Sequence, residues 1–554
     1  MNESMLPSDS EPAAGQRAAW FCLASGVGLL ALAWLLPVNV KSLNPALLRE
    51  AGRGTTSAAR FGRELLQLDK PGPAALVFDA ARKVGDPGAA DLSVALEDYA
   101  ARHRDMMPWG GWDVALEPLL AARPGEARDS QPVLNFMVTQ QARDNLRRYL
   151  SVSRLPGVQT LLKTADLTST QRFVPARRPG GQPLDAVILL SAYLWQTEHL
   201  SAGLQREVRG LAETAVTSGH LGELEDFYLD VLTLGKRLNW VQLSELLRTT
   251  NSLATVGQFA HLARVAPEHL AVIYTAALLT KSADGVASYL IAFGQPGAEH
   301  LQLALSHGEG AVRQLVQRQA PVTAAGAEFE FGAAFVLRHP EFSLLAKYAA
   351  FLGGVFLVLR ALDLRLFLSA ERTLRGAFPR MGSGVIAAIL TFIFFVFSEP
   401  FLLKAAPPSD YRIKLSIPIV GAAAPAAAEV STKATAMDIS TILSIIAFAA
   451  LQVGMYVICL LKISDVSRQD VPAAIKLKLM DNEENLFDGG LYIGIAGTAT
   501  ALVLQVLGLI EANLLAAYSS NLFGIVCVAL VKIRHVRPYK RQLIVEMTES
   551  AAIV

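Results

Sequence analysis

The stretch that decides the fold is residues 489–508, GGLYIGIAGTATALVLQVLG. No charged residue interrupts the chain from Gly489 to Ile510, and about 20 apolar residues in a helix suffice to cross the hydrocarbon core of a bilayer. Leu and Ile alone would satisfy the lipid chains, yet this run also carries glycines, threonines and a glutamine. It therefore predicts a membrane-spanning helix that has one small, polar face.

The 554-residue chain contains further charge-free apolar runs. We predict an all-α, polytopic membrane protein with six spans, at 18–40, 342–362, 381–403, 439–461, 489–510 and 512–531. Lys347 and Arg360 lie near the ends of the second span, where their side chains can reach the headgroups. The first run could instead be a cleaved signal peptide, but its length favours a retained anchor.

The basic residues predict the orientation of these spans. Two arginine-rich segments, 360–380 and 532–541, fall on the same side of a six-span chain, and basic loops mark the cytoplasm. The N-terminus (1–17), the loop 462–488 and the tail 532–554 are then cytoplasmic. Residues 41–338 and the Ala-rich linker 404–438 are extracytoplasmic.

The large segment 41–338 is predicted to be α-helical, because Leu- and Ala-rich amphipathic runs are separated by short Gly/Pro breaks. Stacked helix pairs of the solenoid type would suit its second half, although no residue-by-residue repeat is present. It contains no phosphate-binding loop, no G-x-S-x-G and no i,i+4 histidine pair, so we predict no catalytic residue, metal or cofactor. An interaction or sensing module fits better, and the net charge of +1 gives no indication of a nucleic-acid partner.

In the fifth span, small and polar residues recur at steps of three and four and therefore share one helix face. The sixth span repeats the arrangement. Two interpretations stay open, because small faces let membrane helices pack closely, whereas polar side chains at mid-span need protein or water around them. We assign helix packing to Gly490, Gly494, Gly497, Ala501, Ala516 and Gly524, and an ion path or partner contact to Thr498, Gln505, Ser520 and Asn521.

These two spans resemble the MotA/TolQ/ExbB proton-channel family over about residues 481–541, or from 439 if the fourth span is included. The family's hallmark is a Gly-Thr pair in one span and a hydroxyl shortly before a Gly in the next. Here these features correspond to Gly497-Thr498 and to Ser520 or Asn521 before Gly524. Ala501 stands where the family usually has a second Gly.

The resemblance implies a stator-like, ion-motive-force-coupled channel subunit in a bacterial inner membrane. It also implies a homo-oligomer, a pentamer by analogy, around a single-span partner that carries an intramembrane Asp. No acidic residue lies within the last three spans, so such an acid would have to come from a partner. The alternative is a membrane-anchored scaffold or receptor whose outer helical domain binds a partner not yet identified and whose C-terminal spans oligomerise.

Overall fold

A computed structural model describes residues 11–116, 130–323, 332–366, 378–398, 411, 439–506 and 514–552. Over these ranges the chain is helical and contains no β-strand, as predicted for an all-α protein. It divides into two compact units. The helical domain comprises Pro45–Ala324 with Pro407–Pro418, and the membrane unit comprises Met1–Asn44, Ala325–Ala406 and Ile419–Val554.

Helix α1, in the membrane unit, is Glu11–Leu35. The helical domain follows with α2 (Pro45–Gly52), α3 (Ala58–Gln67), α4 (Pro71–Val84), α5 (Ala89–Arg102), α6 (Val133–Met137), α7 (Gln140–Ser151), α8 (Pro156–Lys163), α9 (Gln182–Gln196), α10 (Ala202–Ser218), α11 (Leu224–Gly235), α12 (Trp240–Arg248), α13 (Leu253–Val265), α14 (Leu270–Thr280), α15 (Ala283–His307) and α16 (Glu309–Arg318).

Local sequence sets many of these helix ends. The side chains of Ser57, Ser201 and Ser252 each accept a hydrogen bond from the backbone N–H three residues on, which satisfies an amide that the first turn leaves unpaired. Asn239 and Gln242 form a reciprocal capping box at the start of α12. Hydroxyl and amide residues before apolar runs therefore divide the domain into short helices.

The helical domain closes on itself. Its core holds the fully buried side chains of Tyr193, Tyr228, Trp240, Phe259 and Tyr274. At its end, α16 and α15 return to α2 and α4: the Glu309 amide donates to the Thr56 carbonyl at 2.9 Å. In an open solenoid each repeat contacts only its neighbours. The contact between first and last helices differs from that arrangement, and it buries surfaces that an open stack would leave exposed.

The membrane unit continues with α17 (Ala333–Arg338), α18 (Pro340–Leu366), α19 (Phe378–Ser398), α20 (Ile439–Arg468), α21 (Ala473–Asn482), α22 (Glu484–Phe487), α23 (Gly489–Val506), α24 (Leu514–Val531) and, after a π-helical segment at Lys532–Val536, α25 (Arg537–Ala552). The long helices pack in chain order, α1 on α18, α18 on α19 and α19 on α20. Helix α20 then contacts both α23 and α24, which form a tightly packed hairpin.

Four helical segments in the described ranges are long and apolar enough to cross a membrane: Arg17–Leu35, Pro340–Leu362, Phe448–Arg468 and Ser519–Thr548. The pair Leu253–Val265 and Pro267–Thr280 would add a fifth only as one span, but it bends by 108°. The other two predicted spans correspond to α19 and α23, and their remaining residues, 399–403 and 507–510, lie outside the described part of the chain.

Beyond the predicted end of the fourth span, the chain continues as helix. Helix α20 runs on to Arg468, and the predicted loop contains α21 and α22. Helix α21 packs against α25, and a shared buried core includes Cys459, Met480, Phe487 of α22 and Val531. Parts of the predicted loop 462–488, together with the predicted tail as far as Ala552, thus belong to one small helical subdomain.

Candidate functional site

The candidate site lies where α20, α23 and α24 meet. We call it the glycine junction: Gly490, Gly494, Gly497 and Gly524 with the polar side chains of Gln452, Thr498, Ser520 and Asn521. A Cβ atom on Gly524 would lie 2.6 Å from the Gly490 carbonyl oxygen, and one on Gly494 would lie 3.0 Å from the Ser520 carbonyl oxygen. The obstacles are backbone atoms, which cannot rotate away. The hairpin therefore requires glycine at these positions.

Gly497 faces side chains instead of backbone. A Cβ atom there would lie 2.5 Å from Ser520 Oγ and 3.1 Å from Cε1 of Phe448, which belongs to α20. The small face predicted on the fifth span is consequently filled within the chain, by the next span on one side and by α20 on the other.

Two predicted polar residues converge on one backbone oxygen. Thr498 Oγ1 donates to the Gly494 carbonyl at 3.0 Å, and Ser520 Oγ, from the neighbouring helix, donates to the same carbonyl at 3.3 Å. Ser520 is buried and Thr498 is half-buried. The structure thus brings these two hydroxyls together at one turn of α23.

Asn521 lies beside them on α24. Its side chain is half-buried, and its Oδ1 atom is inaccessible and has no hydrogen-bond partner among the residues that the structure describes. The side chains of residues 501–518 lie outside the described part. The predictions for Ala501, Gln505 and Ala516 therefore have no structural counterpart, although the backbones of these residues belong to α23 and α24.

Gln452 is a junction residue that sequence reasoning missed. It is only 4% exposed, and its Nε2 donates to the Gly490 carbonyl at 3.0 Å. Its own carbonyl accepts a bond from Cys527 Sγ at 3.5 Å. Its Oε1 is buried and unpaired within the described ranges. The available signal was an isolated amide inside the charge-free run 439–461, where an amide is costly unless protein or water satisfies it.

The junction offers hydrogen bonds but no ionisable group of its own. Charged side chains at the end of the hairpin near Asp488 are paired, as in Lys532 with Asp488 at 2.7 Å and Lys462 with Glu483 at 3.0 Å. Among the described residues there is no group of three or more His, Cys, Asp or Glu side chains that could hold a metal ion. The arrangement can accept and donate protons in hydrogen bonds, but any titrating group must come from elsewhere.

A second polar cluster lies in the helical domain, and we call it the Asp113 cluster. His199 Nε2 lies 2.6 Å from Asp113 Oδ2, and Trp240 Nε1 donates to the same oxygen at 3.1 Å. The guanidinium of Arg248 lies 2.8 Å from His199 Nδ1. Because guanidinium can only donate, Nδ1 must accept, and the proton of a neutral His199 lies on Nε2, facing the carboxylate.

This environment sets the charge of Asp113. Burial alone would raise the pKa of its carboxyl group, but the hydrogen bonds from His199 and from the Ala115 amide outweigh burial and lower the pKa to about 2. The Trp109-Gly110-Gly111-Trp112 turn adjoins the cluster. A Cβ atom on Gly110 would collide with the Asn239 side chain, and Trp109 stacks on Phe136 at 3.7 Å. The first three residues of the turn are packed into the domain, whereas Trp112 is 48% exposed.

Comparison of the chain with protein-family models, with curated proteins and with solved structures gives no match. Fold and composition nevertheless define a class. Over the described ranges it is an all-helical protein with four helical segments long and apolar enough to cross a membrane, in which a helical domain of more than 250 residues accompanies a bundle built on close glycine contacts.

Proposed function

We propose that the chain is a stator-like, ion-motive-force-coupled channel subunit of an energy-transducing membrane complex. One observation carries the proposal: the amide oxygens of Gln452 and Asn521 are both buried at the glycine junction without a partner in the described ranges. A buried acceptor in a low-dielectric bundle is costly until a donor reaches it. A protonated carboxyl group, a hydroxyl or a conducted water would supply that donor.

The donor is proposed to come from a second chain. No acidic residue lies in the last three predicted spans, so a proton carrier at that depth must be contributed by a partner. A single-span protein with an intramembrane Asp meets this need. Assembly of several copies around it, five by analogy with the MotA/TolQ/ExbB family, would place several glycine junctions around one path.

The proposed location is the inner membrane of a bacterium, with the helical domain in the periplasm. The basic segments support this orientation, and a contact inside the helical domain adds to it. Tyr411, from the predicted outer linker 404–438, is buried there, and its backbone bonds the His261 side chain. Linker and helical domain then lie on the same side of the membrane, as six alternating spans require.

A second candidate function is a membrane-anchored scaffold or receptor. It is favoured by the hydrogen bond that the Thr498 hydroxyl donates to the Gly494 carbonyl in its own helix. A hydroxyl bonded in this way needs no partner from another chain or from water, as expected for a residue whose only role is helix packing. On this reading the glycine junction holds the hairpin together, and the helical domain alone carries the function by binding a partner.

Thr498→Val separates the two functions, because valine preserves shape and removes only the hydroxyl. Thr391→Val in α19 is the matched control, since Thr391 Oγ1 also bonds the carbonyl four residues back, that of Ala387, at 2.7 Å. The full chain would be purified with any co-purifying protein, identified by mass spectrometry, and reconstituted in vesicles with an internal pH dye. We expect potential-driven proton flux that Thr498→Val abolishes and Thr391→Val retains. Flux unchanged by Thr498→Val would contradict the channel proposal.

A further inference from the structure

The charged side chains just after the last span separate into two groups. Lys532 pairs with Asp488, and Lys540 pairs with Asp481, so both lysines hold the subdomain of α21, α22 and α25 together. Arg534, Arg537 and Arg541 are exposed, and none of them forms an ion pair with a described residue. Three guanidinium groups are thus left available within eight residues.

These arginines continue a surface that faces the bilayer. Leu522, Val526 and Leu530 recur every fourth residue on α24 and are 59%, 46% and 47% exposed, and Ile533, in the next turn, is 62% exposed. Large apolar side chains at such exposure, on a helix long enough to span, are expected to contact lipid chains. The surface changes from apolar to cationic within one turn.

The position of that change matches the headgroup layer. At 1.5 Å per residue, Arg534 and Arg537 lie about 5 Å and about 9 Å beyond Val531, the last residue of the charge-free run. The headgroup layer extends about 5–7 Å beyond the hydrocarbon on each side. Helical side chains tilt toward the N-terminus, so Arg537 and Arg541 reach back toward the bilayer.

The arginines also border a groove. This groove is an open depression of about 670 Å³ along one face of the stretch from Ile533 to Glu546, and its lining residues include Pro538, Val545, Arg537 and Arg541. Glu546 also lines it, and its carboxylate accepts a bond from Gln542 Nε2 at 2.9 Å. Apolar and guanidinium side chains that share one exposed face are complementary to a phospholipid, whose acyl chain and phosphate are joined in one molecule.

We propose that Arg534, Arg537 and Arg541 with this groove form a binding site for the phosphate headgroup of an anionic phospholipid. The proposal does not rest on the channel function, since it concerns the outer surface of α24 and α25 and not the glycine junction. Bidentate guanidinium–phosphate bonds would fix the depth of the last span, while Lys532 and Lys540 hold the subdomain on its inner side.

The test is native mass spectrometry of the purified full chain in detergent micelles doped with phosphatidylglycerol or phosphatidylcholine. We expect preferential retention of phosphatidylglycerol, and an Arg537→Gln/Arg541→Gln variant should reduce that preference about tenfold. Arg154→Gln/Arg318→Gln is the matched control, because it removes two exposed arginines of the helical domain at the same cost in net charge. Arg537→Lys/Arg541→Lys, which keeps the charge, should retain an intermediate preference and provides a readout if the glutamine variant fails to fold.

Three results would overturn the lipid site. One is an unchanged preference in Arg537→Gln/Arg541→Gln or, if only the lysine variant folds, a preference in that variant equal to the wild type. Another is an equal loss in the control, which would mean that net charge alone attracts the lipid. The last is a changed oligomeric state with unchanged lipid retention, which would make the groove a contact between protein chains.

Discussion

At the scale of single residues, polar groups in this protein are satisfied in different ways. Ser520 and Thr498 both reach the Gly494 carbonyl, so their hydroxyl protons have an acceptor. The amide of Gln452 is half satisfied, since its nitrogen donates to Gly490 while its oxygen stays unpaired in the described part of the chain. A half-satisfied amide marks where an additional donor fits.

The Asp113 cluster yields a prediction for stability. Asp113→Asn should lower the free energy of unfolding by about 2 kcal/mol at pH 7, because lowering the pKa of this carboxyl group to about 2 in the folded protein corresponds to an energy of that order. The Asp113 carboxylate takes up a proton less readily in the folded protein than in the unfolded chain. Its contribution to the free energy of unfolding is therefore fully present above about pH 4 and is lost as the pH falls toward 2.

Thermal unfolding of the full chain, followed by circular dichroism between pH 7 and pH 2, measures this effect. The melting temperatures of wild type and Asp113→Asn should differ at pH 7 and converge toward pH 2. Asp105→Asn, at an exposed position, should behave as wild type throughout. A constant difference at all pH values would mean that the carboxylate's ionisation is not what stabilises the cluster.

At the scale of elements, the hairpin of α23 and α24 depends on backbone contact. The Gly490 carbonyl lies where a side chain on Gly524 would begin, and Gln452 from α20 bonds that same carbonyl. One backbone oxygen thus contacts two neighbouring helices. The close approach leaves no room for adjustment by side-chain rotation.

Gly524→Ala should therefore destabilise the hairpin by about 1–3 kcal/mol, the usual cost of forcing atoms into a packed core. Gly28→Ala in α1 is the matched control, because a Cβ atom there meets nothing within 4 Å. The measurement is the unfolding of each variant in detergent by urea or by heat. Equal stability of the two variants would show that α23 and α24 can separate at no cost.

At the scale of the whole molecule, the chain consists of two compact units. The helical domain has its own core and closes through contacts between α2 and α15–α16. The membrane unit is a row of helices that ends in the glycine junction and the subdomain of α21, α22 and α25. Orientation in the membrane is the property that relates both units to function.

Orientation is tested with two introduced cysteines, Thr217→Cys in α10 and Thr548→Cys in α25. Both threonines are exposed and bond a carbonyl four residues back, so the two sites are matched in structure. The native cysteines are first replaced by serine. In intact spheroplasts a membrane-impermeant thiol reagent should then label the cysteine introduced at position 217 and not the one introduced at position 548. The reverse labelling pattern would contradict the proposed topology.

The sequence by itself determined that the protein is helical, that it has runs long and apolar enough to cross a membrane, and that two adjacent helices carry small faces. These properties follow from the length of charge-free runs and from helical periodicity, which are local features of the chain. Only the tertiary structure decided what fills those faces. Gln452 bonds Gly490 from another helix, 38 residues earlier in the chain. Trp240 bonds Asp113 although the two residues are 127 positions apart. Such contacts depend on which helix faces meet, and periodicity identifies a face without identifying its neighbour.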